Sequence, residues 1–156
     1  MSQTNELEIM ERIALDLEGV EESLASSFNT GAEDFNALIR PLSAAGGKRL
    51  RAQLCLLIAN AGTSVERQRI RIAEAVEMLH LATLIHDDVL DQAEIRRGED
   101  TIHMHKGNKV AILSGDYLFA KAFQIVSEMP NMKYLQIFSH IITCLVEGEF
   151  MQMEDV

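Results

Sequence analysis

The chain has 156 residues, enough for one domain with a hydrophobic core, and its formal net charge is −10. This acidity argues against a nucleic-acid-binding protein, which needs Lys and Arg clustered on one face. Apolar residues make up 47% of the chain and there are only two prolines, a composition that favours packed helices over sheets. We therefore predict a single all-α domain over residues 1–156.

The composition also bears on the compartment. The N-terminus lacks the apolar segment of a secretory signal, and no apolar run approaches the roughly 18 residues of a membrane span. Cys55 and Cys144 lie in apolar stretches without a zinc-ligand spacing, which predicts two buried, reduced thiols. Together these features predict a cytoplasmic protein with no transmembrane segment.

Residues 4–27 and 33–44 have the apolar spacing of two amphipathic helices. In the first, apolar residues recur every three or four positions, with Asp and Glu between them. Asn29-Thr30-Gly31 separates the two helices, and Pro41 is expected to shorten or kink the second. We interpret the first as a packing helix.

A glycine pair and several basic residues, Gly46 to Arg51, precede an apolar helix over 50–61. Glycines allow close backbone approach to a ligand, and a helix N-terminus offers free N–H groups to an anion. Lys48 and Arg51 share a face behind the glycines. The segment fits a phosphate or diphosphate cradle, and equally a glycine turn with solvated basic residues.

A long helix is predicted over 65–92, with Ser64 as its N-cap and the arginines between 67 and 71 facing solvent or acidic neighbours. It ends in three carboxylates, Asp87, Asp88 and Asp91. Asp87 and Asp91 lie four apart on one face, so both can turn to a single divalent cation. His80 lies on the same face, seven residues before Asp87. An exposed acidic helix end is the alternative interpretation of these carboxylates.

The same helix contains Glu77-x-x-His80, the ligand unit of carboxylate-bridged dimetal bundles. Such a site needs a second Glu-x-x-His unit, and the nearest substitute is Asp100-x-x-His103 in a predicted loop. This alternative is therefore the weaker one.

The remaining chain carries an arginine pair and two further helices. Arg96-Arg97-Gly98 follows the aspartates, and adjacent arginines supply bidentate donors for phosphate oxygens. Helices are predicted over 109–128 and from 132 to about 155, with a short turn at 101–105 before them.

Five ordered motifs, GGKRLR, DDVLD, RRG, AILSGDYLFAKAF and GEFMQ, resemble the N-terminal half of the trans-isoprenyl diphosphate synthases. The resemblance covers nearly all of residues 38–156. It implies an antiparallel helical bundle, the first half of the isoprenoid synthase fold. It also implies a prenyltransferase that condenses an allylic diphosphate with isopentenyl diphosphate, uses Mg²⁺ and forms a homodimer.

The resemblance implies a role for each matching residue. Three aspartates hold Mg²⁺ at the allylic diphosphate: Asp87, Asp88 and Asp91. Three residues bind the diphosphate of isopentenyl diphosphate: Lys48, Arg51 and His80. Arg96 faces the allylic diphosphate, Arg97 faces isopentenyl diphosphate, and Gln152 lies beside the allylic pocket. Ala82 and Thr83 form the floor of the tail pocket, and their small size predicts a medium- or long-chain product.

The sequence departs from the family pattern in three places. Ala52 replaces the usual proline after GGKRLR, and Glu99-Asp100 replaces a residue-proline step after RRG. The third departure is length, since a second aspartate-rich motif has no counterpart in the 156 residues. We expect a truncated or partial synthase with little activity alone. The alternative is a non-catalytic short subunit that binds diphosphate and pairs with a longer chain.

Overall fold

A computed structural model describes residues 3–28, 33–44, 47–62 and 65–154. Within these ranges the regular secondary structure is helical apart from one small hairpin, so the predicted all-α fold is confirmed. The helices are α1 (Gln3–Ser27), α2 (Glu33–Ala44), α3 (Leu50–Asn60), α4 (Glu66–Leu90), α5 (Ile102–Lys106), α6 (Asn108–Ser127) and α7 (Met132–Glu154). The hairpin joins β1 (Ile95–Arg96) to β2 (Glu99–Asp100).

Helix α4 is the centre of the fold and contacts α1, α3, α5 and α6. Its apolar residues continue around most of its circumference, so the helix can be stable only when covered by neighbours on several sides. The buried apolar residues of α4 are Ala73, Ala75, Met78, Leu79, Leu81, Ala82 and Ile85. Helix α6 covers α4 with its own small and apolar residues, including Ala111, Gly115, Leu118 and Ala122.

Buried ion pairs join α4 to α1. Arg69 of α4 donates from Nε to Asp16 Oδ2 at 3.0 Å and from Nη2 to Asp16 Oδ1 at 3.0 Å. Arg71 pairs with Glu74 on its own helix and with Glu128. The arginines at 69 and 71 therefore face acidic neighbours. A buried guanidinium needs this bidentate pairing to offset its desolvation.

The fold tests the sequence predictions for the cysteines, for Pro41 and for the helix boundaries. The prediction of two buried thiols is wrong for Cys144, which is exposed on α7, whereas Cys55 is half-buried. Helix α2 continues through Pro41 to Ala44. The segment at 29–31 lies outside the described residues. The prediction of Ser64 as the N-cap is wrong, because α4 begins at Glu66 and its N-cap is Val65.

Helix α6 corrects the expectation that no apolar run approaches the length of a membrane span. It has 20 residues and contains an 18-residue window with a mean hydropathy of 1.2, so by length and composition alone it could cross a membrane. About 39% of that window is buried inside the protein, because α6 packs against α4, α5 and α7. A core helix of a bundle has this same composition.

Candidate diphosphate and metal site

The basic loop before α3 has a left-handed backbone. Gly47 has φ +63° and Arg49 has φ +47°, a conformation that side chains with a Cβ rarely adopt. Arg49 is buried, and its guanidinium donates from Nε to Glu21 Oε1 at 2.6 Å and from Nη2 to Glu21 Oε2 at 3.0 Å. Lys48 is exposed beside it. Gly46 lies outside the described part of the chain.

His80 lies at the centre of a group of arginines. Arg51 Nη1 is 3.2 Å from His80 Nε2. Burial lowers the pKa of His80 to about 4, and four positive charges contribute in the same direction, those of Arg51, Arg97, Arg96 and Arg49. The imidazole is therefore neutral at pH 7, and Nε2 can accept a hydrogen bond from Arg51. The predicted cluster of His80, Arg51, Arg96 and Arg97 is assembled on one side of α4.

The arginine pair lies on the hairpin, which brings it back to α4 and to the basic loop. Arg96 Nε donates to Asp88 Oδ1 at 2.7 Å. Arg97 has φ +54°, and its guanidinium covers Gly47. A Cβ at Gly47 would lie 3.3 Å from Arg97 Nη2, so the glycine serves both the left-handed turn and this close approach.

The three aspartates divide between two directions. Asp88 is buried and faces the arginines. Asp87 is half-buried and Asp91 is exposed at the C-cap of α4. Burial raises the pKa of the Asp87 carboxyl, and the charges of Glu149 and Asp91 raise it further. Glu149 of α7 thus belongs to the negative side of the site. Glu149 is part of the GEFMQ motif, for which the family resemblance implied a role only for Gln152.

Two cavities flank this part of α4. The first, of 140 Å³, is lined by the hairpin and by Arg49, His80 and Asp88. The second, of 530 Å³, is mainly apolar and lies between α4 and α7; its lining includes Arg51, His80, Thr83, Asp87, Phe119, Ile142, Leu145, Val146, Glu149 and Phe150. A charged rim above an apolar cavity fits an amphiphilic ligand with an anionic head and a hydrocarbon tail.

Some of the predicted residues are placed apart from these cavities. Lys48 and Gln152 are exposed and line neither cavity, and Ala82 is fully buried in the core beside Thr83. Of the two predicted residues of the pocket floor, Thr83 is the one that lines the apolar cavity.

The dimetal alternative finds no support among the described residues. Glu77 Oε1 accepts the backbone N–H of Ala52 at 3.0 Å, and Oε2 lies 3.5 Å from Arg49 Nη1. Within the described ranges, no three His, Cys, Asp or Glu side chains converge closely enough to hold a metal ion by themselves.

The donor chemistry of Asp87 and Asp91 nevertheless fits Mg²⁺. This ion prefers oxygen ligands and is commonly bound by one or two carboxylates together with substrate phosphates. Burial is the main cause of the raised pKa of Asp87, and the nearby negative charges of Glu149 and Asp91 add to it. A bound cation relieves this repulsion between carboxylates. A complete cage of protein ligands is not required for such a site.

Comparison with known proteins gives a consistent result. Residues 32–156 match the polyprenyl synthetase family. The chain is 33% identical over 148 residues to octaprenyl diphosphate synthase of Escherichia coli (strain K12), covering 95% of this chain and 46% of that protein. It is 37% identical over 141 residues to heptaprenyl diphosphate synthase component 2 of Geobacillus stearothermophilus, covering 90% of this chain and 44% of that protein.

A solved structure of similar fold is polyprenyl synthase from Caulobacter crescentus CB15, complexed with calcium and isoprenyl diphosphate. Its TM-score is 0.85 at 36% identity, covering 92% of this chain and 45% of that one. The chain thus spans about half the length of the curated relatives it matches. Its sequence, its helical fold and the match over residues 32–156 establish that the chain belongs to the polyprenyl synthetase family.

Proposed function

We propose that this chain forms the diphosphate-binding half of a trans-prenyltransferase. The reaction condenses an allylic diphosphate with isopentenyl diphosphate to a medium- or long-chain polyprenyl diphosphate. The observation that carries the proposal is the grouping of four arginines around His80. Arg51 Nη1 is 3.2 Å from His80 Nε2, and Arg49, Arg96 and Arg97 line the 140 Å³ cavity together with His80 and Asp88. This group lies beside the apolar cavity.

Each group has a part in this chemistry. Asp87 and Asp91, with the remaining oxygen of Asp88, would hold Mg²⁺ against the allylic diphosphate. When bound, Mg²⁺ supplies Lewis-acid stabilisation of the departing diphosphate. Arg96 neutralises the same anion, while Lys48, Arg51, His80 and Arg97 orient isopentenyl diphosphate so that its double bond meets the allylic carbon. The apolar wall of α4 and α7 excludes water from the allylic carbocation that is left when the diphosphate departs.

The small side chain at the wall of the apolar cavity supports a product with a long hydrocarbon tail. Thr83 presents a small side chain to the cavity. A growing hydrocarbon tail can extend past small residues, whereas a bulky aromatic side chain at the same position would stop it. Products of the complete protein should therefore be longer than farnesyl diphosphate, measured by mass spectrometry. A C15 product alone would contradict this assignment.

A second candidate is a non-catalytic short subunit that binds diphosphate and pairs with a longer chain. The exposed apolar residues of α7 around the site need a cover, which either a second half of the fold or another chain would supply. A relative whose name describes it as component 2 offers a precedent for separate components. In either case we propose a cytoplasmic protein that forms a homodimer or pairs with a related chain.

The test replaces Asp87 by Ala in a protein that carries both halves of the fold. Loss of a carboxylate that holds the metal at the leaving group should lower kcat by at least about 100-fold. The matched control is Glu94→Ala, because Glu94 is an exposed carboxylate on the following turn that lines neither cavity. Prenyl transfer is measured with labelled isopentenyl diphosphate. An unchanged rate for Asp87→Ala would refute the metal assignment.

The same assay separates the two candidates. Residues 1–156 alone should bind an allylic diphosphate in the presence of Mg²⁺ but turn it over little or not at all. Addition of a chain that supplies the second half should restore turnover if the first candidate is correct. Rapid turnover by residues 1–156 alone would show that the expected dependence on a second half is wrong.

A further inference from the structure

Glu77 is a buried carboxylate on α4 that takes no direct part in the site described above. Its side chain is 3% exposed. One of its oxygens accepts the N–H of Ala52, in the first turn of α3, and the other lies beside the guanidinium of Arg49. Glu77 therefore contacts Arg49, the last residue of the basic loop, and also the first turn of α3.

Arg49 is the residue on which the course of this loop depends. Burial lowers the pKa of its guanidinium, but hydrogen bonds and charges from Glu21 and Glu77 raise it by more, so the net shift is upward. A buried cation remains in place only while its carboxylate partners stay with it. Since Arg49 lies directly between Lys48 and Leu50, its position sets the direction in which Lys48 and Arg51 leave the backbone.

The N–H of Ala52 adds a second constraint at the same place. The first N–H groups of a helix have no partner inside the helix and need one from elsewhere. Glu77 supplies it to α3, and its negative charge also interacts favourably with the positive end of the α3 dipole. One carboxylate thus fixes both the loop and the start of the helix behind it.

We propose that Glu77 is a positioning residue for the diphosphate-binding loop. It holds Arg49 and the first turn of α3 so that Arg51 presents its charge beside His80. Glu77 and His80 are three residues apart on α4, on one side of the helix, so the anchor and the imidazole keep a fixed spacing. The Glu-x-x-His pair therefore organises an anion site instead of a dimetal centre. This inference rests on the proposed function.

The chain provides a matched control in Glu74, one turn earlier on α4. Glu74 is fully buried like Glu77, and it accepts from Ser23 Oγ at 2.6 Å and Ser27 Oγ at 2.7 Å. These partners belong to α1, away from the basic loop. Substitutions of Glu74 remove a buried carboxylate of the same type without touching Arg49 or Ala52.

The experiment compares Glu77→Gln and Glu77→Ala with Glu74→Gln and Glu74→Ala in the 156-residue chain. Calorimetric titration with inorganic diphosphate gives the Kd, and thermal unfolding of each variant gives its stability. Glu77→Ala should weaken diphosphate binding by about tenfold or more. Glu77→Gln should weaken it less, because the amide oxygen still accepts from Ala52. The Glu74 variants should lose stability but keep the wild-type Kd.

Equal Kd values for the Glu77 variants and their Glu74 counterparts would overturn the inference, and so would a wild-type chain that does not bind inorganic diphosphate. If Glu77→Ala does not fold, the two Gln variants carry the comparison. Prenyl transfer by the complete protein is measured separately. If transfer is absent while the Glu77 effect on Kd persists, the proposed function fails and the positioning role stands. If transfer occurs and Glu77→Gln leaves the KM for isopentenyl diphosphate unchanged, the positioning role alone fails.

Discussion

The imidazole of His80 has a consequence for stability as well as for binding. Its pKa is lowered to about 4 in the folded protein, first by burial and then by the surrounding arginines, from an ordinary value of 6.5. The unfolded chain therefore takes up this proton at a higher pH than the folded chain does. The contribution of His80 to folding is fully present above pH 6.5 and is lost as the pH falls towards 4.

The variant His80→Gln tests this dependence of folding stability on pH. The wild-type free energy of unfolding, from urea titrations at a series of pH values, should fall between pH 6.5 and about 4 more steeply than that of the variant. His105→Gln, at an exposed position of α5, is the control and should retain the wild-type slope. Parallel slopes for wild type and His80→Gln would show that burial and the arginines do not suppress protonation of this ring.

The contact between α4 and α6 depends on a residue with no side chain. A Cβ at Gly115 would collide with the His86 ring at Nε2. That nitrogen is 3.1 Å from the Ile112 carbonyl oxygen and 3.5 Å from Asp116 Oδ1. The His86 ring thus fills the gap that Gly115 leaves, immediately before Asp87. Close packing of the two helices sets where the aspartates stand relative to α6.

A double-mutant cycle tests this packing. Gly115→Ala should destabilise the protein by about 1–3 kcal/mol through overpacking, partly offset by about 0.5–1 kcal/mol of better helix propensity. In a His86→Ala background the added methyl group has space, so the same substitution should become neutral or stabilising. Urea unfolding gives the four free energies. Additive effects, with an interaction energy near zero, would mean that the ring and the glycine do not constrain each other.

Helices were more predictable from the sequence than the contacts between them. The predicted spans 4–27, 50–61, 65–92, 109–128 and 132–155 agree with the observed helices to within two residues, because apolar periodicity reports the buried face directly. The hairpin was not predicted, because it depends on left-handed Gln92 and Arg97, and neither residue type signals a positive φ. The GEFMQ motif contains Glu149, but its closeness to Asp87 follows only once α7 is placed against α4.

At the scale of the whole molecule, the surface of α7 is unusually apolar. Ile137 is 60% exposed and Ile141 is 42% exposed, one turn apart on the helix. Exposed apolar residues in one patch are typical of a surface that another protein covers. This patch supports the proposed association with a second copy or a related chain.

Sedimentation velocity of Ile137→Lys/Ile141→Lys measures that association. If two copies bury this face, each lost isoleucine should weaken self-association by about tenfold or more. Ser139→Lys/Thr143→Lys is the matched control, with the same charge change and spacing at exposed polar positions of α7. Equal dissociation constants for the two double variants would place the contact between copies elsewhere on the surface.

The close approach of Arg97 to Gly47 also shows that the site depends on the native packing of α3 and α4. The two residues belong to loops at opposite ends of the segment that contains α3 and α4, so they meet only after both helices have docked. The positive half of the site is therefore a long-range feature of the native topology and is lost with global unfolding. Diphosphate affinity would then report how much of the chain has reached its native arrangement.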